Sequence, residues 1–162
     1  MDRWTGPPVL RSFGPPVIRS SGPTLAPSRD PVHYSPVDAE HRTPEPVSSS
    51  TAFSYEWGDG CRGWHLVRSQ NLSVIEERMP TGTSEVRHWH ARARQFFYVL
   101  SGTVTIEVEG RTHQLEPRTG IELPPGTAHQ VRNESGADVE FIVISEPRSH
   151  GDRHETEPSH GD

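Results

Sequence analysis

Between Trp57 and Pro147 apolar and polar residues alternate in short runs bounded by Gly, Pro and Asn. Side chains on a strand change face at every residue, so this period of two predicts half-buried strands, and no helical period competes with it. The runs fall at 64–67, 72–79, 84–90, 95–100, 103–109, 111–115, 121–123, 129–133 and 139–145. Many short strands with frequent turn signals predict an all-β sandwich or barrel.

The turns follow from the same pattern. Ser101-Gly102 and Glu109-Gly110 each separate two strand-like runs by very few residues, which predicts tight hairpins with glycine in the left-handed region. Leu123-Pro124-Pro125-Gly126 stops a strand with two prolines that cannot donate to a ladder. His129 then starts a new strand, with Val131 and Asn133 on its face.

Composition narrows the ordered region. The chain has 162 residues, enough for one domain, but only 30% are hydrophobic. Residues 1–50 carry ten of the 16 prolines and an imperfect tandem repeat, Gly6-Pro-Pro-Val-Leu-Arg-Ser-Phe followed by Gly14-Pro-Pro-Val-Ile-Arg-Ser-Ser. Such a segment buries too little apolar surface to offset its ordering entropy, so a disordered Pro-rich leader is expected. Its polyproline character also suits an aromatic-lined groove, and a start further on, for example at Val47, is an alternative. Residues 148–162, polar and acidic, are expected to form a flexible tail.

Other function classes are disfavoured. The net charge of -6, with no basic stripe, argues against a nucleic-acid partner. The sixteen basic residues are all arginine, which points to codon bias rather than phosphate recognition. No apolar run reaches the length of a signal core or a membrane span, so a cytoplasmic protein without a membrane partner is expected. The lone Cys61 excludes an internal disulfide, and nothing near it favours catalysis.

The chemistry gathers at His88 and His90. On a strand they share one face, about 6 to 7 Å apart along the axis, with Val86 beside them and Arg87 and Trp89 opposite. A transition-metal site needs three or four N or O donors converging at about 2.0 to 2.2 Å from the ion, and His88, His90, Gln95 and His129 are candidates. Gln95 returns after a short turn, whereas His129 must arrive by tertiary folding.

These residues resemble the two motifs of the cupin superfamily. The first, Gly, five residues, His-x-His, three or four residues, Glu, six residues, Gly, is matched by Gly82, His88, His90, Gln95 and Gly102, with glutamine in place of glutamate. The second is matched by Pro124, Gly126, His129 and Asn133, with Arg118 where the leading glycine belongs. The resemblance covers roughly residues 57–147. It implies an all-β jelly-roll (double-stranded β-helix) cupin barrel, commonly a homodimer, with one divalent transition metal, Zn, Mn, Fe or Ni, at His88, His90, Gln95 and His129.

Glutamine offers one neutral oxygen, so Gln95 either binds weakly or hydrogen-bonds a metal-bound water. Four neutral donors leave the ion's full charge in place, which favours Lewis acidity over oxidation to a trivalent ion. Glu85, Glu122 and Tyr98 are the acid/base candidates nearby in sequence, but strand parity puts Glu85 and Tyr98 on the outer face. His65 and His113 read as ordinary strand or surface histidines. Phe97, Val99, Val104, Ile106, Val131, Phe141 and Val143 read as barrel lining.

The expected function is that of a metal-binding monocupin acting on or binding a small molecule, of dioxygenase, isomerase, lyase or decarboxylase type. A non-catalytic small-molecule binding or sensor module with a structural or vestigial metal site is the alternative. One barrel hosts many chemistries, so the fold does not choose between them.

Overall fold

The computed structural model describes residues 43–156. The tandem repeat at Gly6 and Gly14 therefore lies outside the described residues. Residues 43–52 are exposed coil and turn for the most part, and eleven strands follow. They are β1 Phe53–Trp57, β2 Cys61–Arg68, β3 Ser73–Met79, β4 His88–His90, β5 Arg94–Ser101, β6 Val104–Val108, β7 Arg111–Leu115, β8 Gly120–Leu123, β9 His129–Arg132, β10 Val139–Glu146 and β11 Arg153–Glu155. No described helix is long and apolar enough to cross a membrane.

The strands form two antiparallel sheets, one in the order β1-β2-β3-β10-β5-β8 and one in the order β11-β4-β9-β6-β7. Alternation decides which residues face between them. On β10 Val139, Phe141, Val143 and Ser145 are buried and their neighbours are less so; on β5 the buried set is Gln95, Phe97 and Val99. The opposite sheet contributes Val104, Ile106 and Val131, so all seven expected lining residues lie in the core. Phe97 and Phe141 pack with ring centroids 6.1 Å apart. This is the jelly roll.

The β6–β7 turn is the expected hairpin. Val108 pairs with Arg111, and Glu109 and Gly110 both take positive φ, 48° and 83°. Two positive-φ residues give a type I′ turn, whose twist matches that of the flanking strands. The turn at Ser101-Gly102 corrects its expectation. Both edges of β5 are taken, by β10 and β8, so β6 crosses to the other sheet instead of pairing with β5. Gly102 has φ 74°, and a Cβ there would lie 2.7 Å from Val139. The glycine marks a reversal, and the partner is set by the rest of the sheet.

Three further boundaries differ from the sequence reading. The barrel starts at β1, before Trp57, because Gly63 leaves room for the Tyr55 ring directly across from it. The expected strand at 84–90 is interrupted: Ser84 makes an isolated bridge to Arg132, residues 85–87 are not strand, and β4 holds only three residues. Parity does not carry through the break, so Val86 is 54% exposed, while the Glu85 side chain is only 13% exposed instead of lying on the outer face.

Part of the acidic tail, expected to be flexible, forms strand β11. Its residues 153–155 pair with His90, Trp89 and His88, and His154 stacks on Trp89 at 4.4 Å. The tail has no apolar residue to betray this strand; backbone bonding to β4 and side-chain contacts hold it.

Candidate metal centre

His88 and His90 point to the same side of β4, and His88 pairs across the ladder with His129 of β9. The ring centroids of His88 and His129 lie 4.3 Å apart, those of His88 and His90 5.1 Å, and those of His90 and His129 6.0 Å. One ligand nitrogen from each falls within 4.8 Å of the other two. The rings are 3%, 5% and 1% exposed, so burial penalises their charged forms. With that as the main cause, and mutual repulsion adding to it, His88 is held down to about 3; burial likewise holds His129 down to about 4. His90 is lowered by the same cause. All three imidazoles are neutral near pH 7, the state in which they bind metals.

The other motif residues position these rings. The N–H of Gly126, in the proline turn, donates to the His90 carbonyl at 2.7 Å, and Gly82 N–H donates to the Asn133 carbonyl at 2.9 Å. The Asn133 amide donates to the Met79 and Ala137 carbonyls at 2.9 and 2.8 Å. These contacts lash the β9 end to the loop before β4.

Each imidazole is oriented through Nδ1. His88 Nδ1 lies 2.9 Å from the Val86 carbonyl, His90 Nδ1 3.1 Å from the Asp152 carbonyl, and His129 Nδ1 3.0 Å from the Thr127 carbonyl. A carbonyl only accepts, so each Nδ1 carries the proton and each Nε2 keeps its lone pair. His129 Nε2 is buried with no hydrogen-bond partner. On the facing sheet Gln95 is 5% exposed and shares the inner face of β5 with Phe97, whose ring lies 5.8 Å from that of His129. The Gln95 amide donates a long bond of 3.4 Å to Ser145 Oγ, and its Oε1 is buried without a partner. Buried polar atoms left unbonded are rare. Three converging imidazoles with oriented Nε2 atoms fit a cation, and Gln95 carries an unbonded amide oxygen on the inner face of the opposite sheet.

The surroundings hold groups that strand alternation concealed. Glu85 approaches His88 Nδ1 at 3.9 Å, and burial pushes its carboxyl above the usual carboxylate range. Burial and the neighbouring Glu85 push Glu77 of β3 up in the same way, and Tyr55 donates to Glu77 at 2.9 Å. Tyr55, Gly63 and Glu77 stand in one row across β1, β2 and β3.

From the tail, Asp152 is 4% exposed and accepts from the Arg92 and Ala93 N–H groups at 2.9 and 2.8 Å. Arg153 places one guanidinium nitrogen 3.3 Å from His88 Nε2. Only the ladder reveals these two, since nothing in their spacing ties them to the histidines. Tyr98 and the exposed Glu122 are outside the cluster, on the outer side of their strands, and His65 and His113 are on β2 and β7, away from it.

Residues 75–145 match the family model described as the cupin domain. An oxidoreductase of Arthrobotrys oligospora is 27% identical over 85 residues, 52% of this chain and 34% of its own length. Quercetin 2,3-dioxygenase of Bacillus subtilis is 32% identical over 62 residues, 38% of this chain and 18% of that protein. The chain thus spans about a third of the first of these relatives and less of the second. An RmlC-like cupin from Shewanella frigidimarina superposes with a TM-score of 0.60 at 18% identity, covering 67% of this chain and 96% of that one. The match shows that residues 75–145, from β3 to β10, carry a cupin domain, and the solved cupin shares the jelly roll.

Proposed function

We propose that this chain's cupin domain binds a metal, with His88, His90 and His129, together with Gln95, holding one divalent transition metal, Zn, Mn, Fe or Ni, facing a small-molecule substrate. The observation that carries the reading is the common tautomer of the three imidazoles, each fixed at Nδ1 by a backbone carbonyl with Nε2 left to donate. The names of the relatives, oxidoreductase and dioxygenase, favour oxidation of that small molecule. When bound, such an ion supplies Lewis acidity and coordination positions for substrate. The chain's residues would orient it, exclude water through Phe97 and the core beneath, and offer Glu85 as a proton carrier beside His88. The functional unit would be residues 53–155, in a cytoplasmic setting consistent with a single buried thiol.

Metal analysis of the purified full chain after reloading tests this. Close to one equivalent is expected, with His90→Ala abolishing binding and Gln95→Ala weakening it by less than tenfold. A wild-type protein that takes up no divalent ion sinks the reading, and equal losses in the two variants make Gln95 a full ligand. We also propose that the protein pairs as a homodimer through the outer face of the six-stranded sheet, where Phe96 and Leu100 are 38% and 40% exposed.

A further inference from the structure

We infer that Arg153, delivered by the C-terminal strand β11, is a specificity-determining residue that selects a carboxylate-bearing substrate, held between its guanidinium and the metal. The inference rests on the metal reading above and names the substrate class for that site. It starts from placement. Residues 153–155 pair in register with 90–88, so Arg153 leaves the sheet edge next to the histidines. Its Nη1 lies 3.3 Å from His88 Nε2, and its Nη2 donates to the Val86 carbonyl at 3.0 Å.

His88 Nε2, which Nη1 faces at 3.3 Å, is one of the atoms that would hold the metal; with its lone pair so used, Arg153 would have an N–H without an acceptor beside a divalent charge. The ligand set offers no compensation, because three imidazoles and the Gln95 amide are all neutral. Glu85 Oε1 lies 3.9 Å from Nη1, an ion pair that offsets part of the charge but is too long for a hydrogen bond, so the N–H facing the site gains no acceptor from it. The Arg153 side chain is 38% exposed, so it is accessible to a ligand arriving from solvent. Two adjacent cations with unfilled positions call for a small anion with two oxygens. A carboxylate meets this by placing oxygen on the metal side and offering the other edge to the fork geometry of arginine.

The test uses the full chain loaded with Co²⁺, whose visible spectrum reports a ligand entering the site. Pyruvate and its neutral isostere pyruvamide are titrated into wild type, Arg153→Gln and Arg153→Lys, after thermal unfolding has verified that the variants are folded. Pyruvate affinity is expected to fall at least tenfold in Arg153→Gln and less in Arg153→Lys, with pyruvamide and Co²⁺ affinities unchanged or, for Co²⁺, improved. Equal effects on acid and amide, no effect of the substitution, or no spectral response of wild type to pyruvate overturns the inference while leaving the metal centre standing. Failure of wild type to take up Co²⁺ overturns the proposed function and this inference together.

Discussion

At the scale of single residues, the three histidines make the site sensitive to acid in a direction that can be worked out. His88 and His129 titrate at about 3 and about 4 in the folded protein, against 6.5 when free. Between those values the unfolded chain binds more protons, so stability falls as pH drops from 6.5 toward 4, by at most about 1.4 kcal/mol per pH unit for each histidine. Glu77 and Glu85, raised by burial, act in the opposite sense, since their contribution is complete below their ordinary values and is lost as rising pH ionises them. Comparing metal-free wild type with His88→Gln isolates the imidazole, because the carboxyl pair is common to both. The Tm advantage of wild type should shrink as pH falls, and a difference that is constant from pH 7 to 4 would mean that His88 titrates normally. The histidines were legible in the sequence because His-x-His and Pro-x-Gly-x-x-His state their own spacing. So was the place of the missing motif glycine: Arg118 takes φ 68° there, so the fold keeps the left-handed turn at the expense of strain in a residue with a Cβ.

At the scale of elements, β4 and β11 show where pattern reading stops. Alternation found the strands that bury one face, which include β3, β5, β9 and β10. It failed at β4, where the loop between Ser84 and His88 resets the parity and turns Glu85 inward. It failed again at β11, which buries no apolar side chain and whose only sequence trace is an unremarkable Asp-Arg-His-Glu. Asp152 is the pin of that strand, since its carboxylate caps two backbone donors and burial alone would raise its pKa, yet those bonds hold it below the usual range. Asp152→Ala leaves the Arg92 and Ala93 N–H groups without their acceptor, at a cost of about 1–3 kcal/mol for a buried group. A drop in Tm of several degrees is expected, with loss of amide-exchange protection over residues 152–156, and Asp152→Asn should lose less. An unchanged Tm and an unprotected tail in wild type would restore the expectation of a frayed end.

At the scale of the whole molecule, the outer face of the six-stranded sheet is the surface that a single copy leaves unfinished. The core-facing rows are complete, yet Phe96 and Tyr98 stack 6.2 Å apart on the outside of β5, and their ladder partners Ile144 and Ile142 stand beside them on β10, with Val74 next in the row on β3. Apolar residues scattered singly on a surface need no explanation, but a contiguous row across three strands does. Its rim is charged, with Arg94 and Glu122 paired at one end and Arg78 and Asp138 at the other, which suits a face that pairs about a two-fold axis. Phe96 ends the row on β5, directly opposite Ile144, and is 38% exposed, so Phe96→Glu places a charge where a second copy would bury it. Because position 96 is on the outside, the monomer should keep its fold and its metal content while its mass in light scattering falls from two chains to one. A wild-type protein that runs as a monomer at tens of micromolar, or a Phe96→Glu variant that remains dimeric, would exclude this face as the interface; loss of metal in a folded monomeric variant would instead show that pairing supports the histidine site through β5, which carries Phe96 on one face and Gln95 on the other.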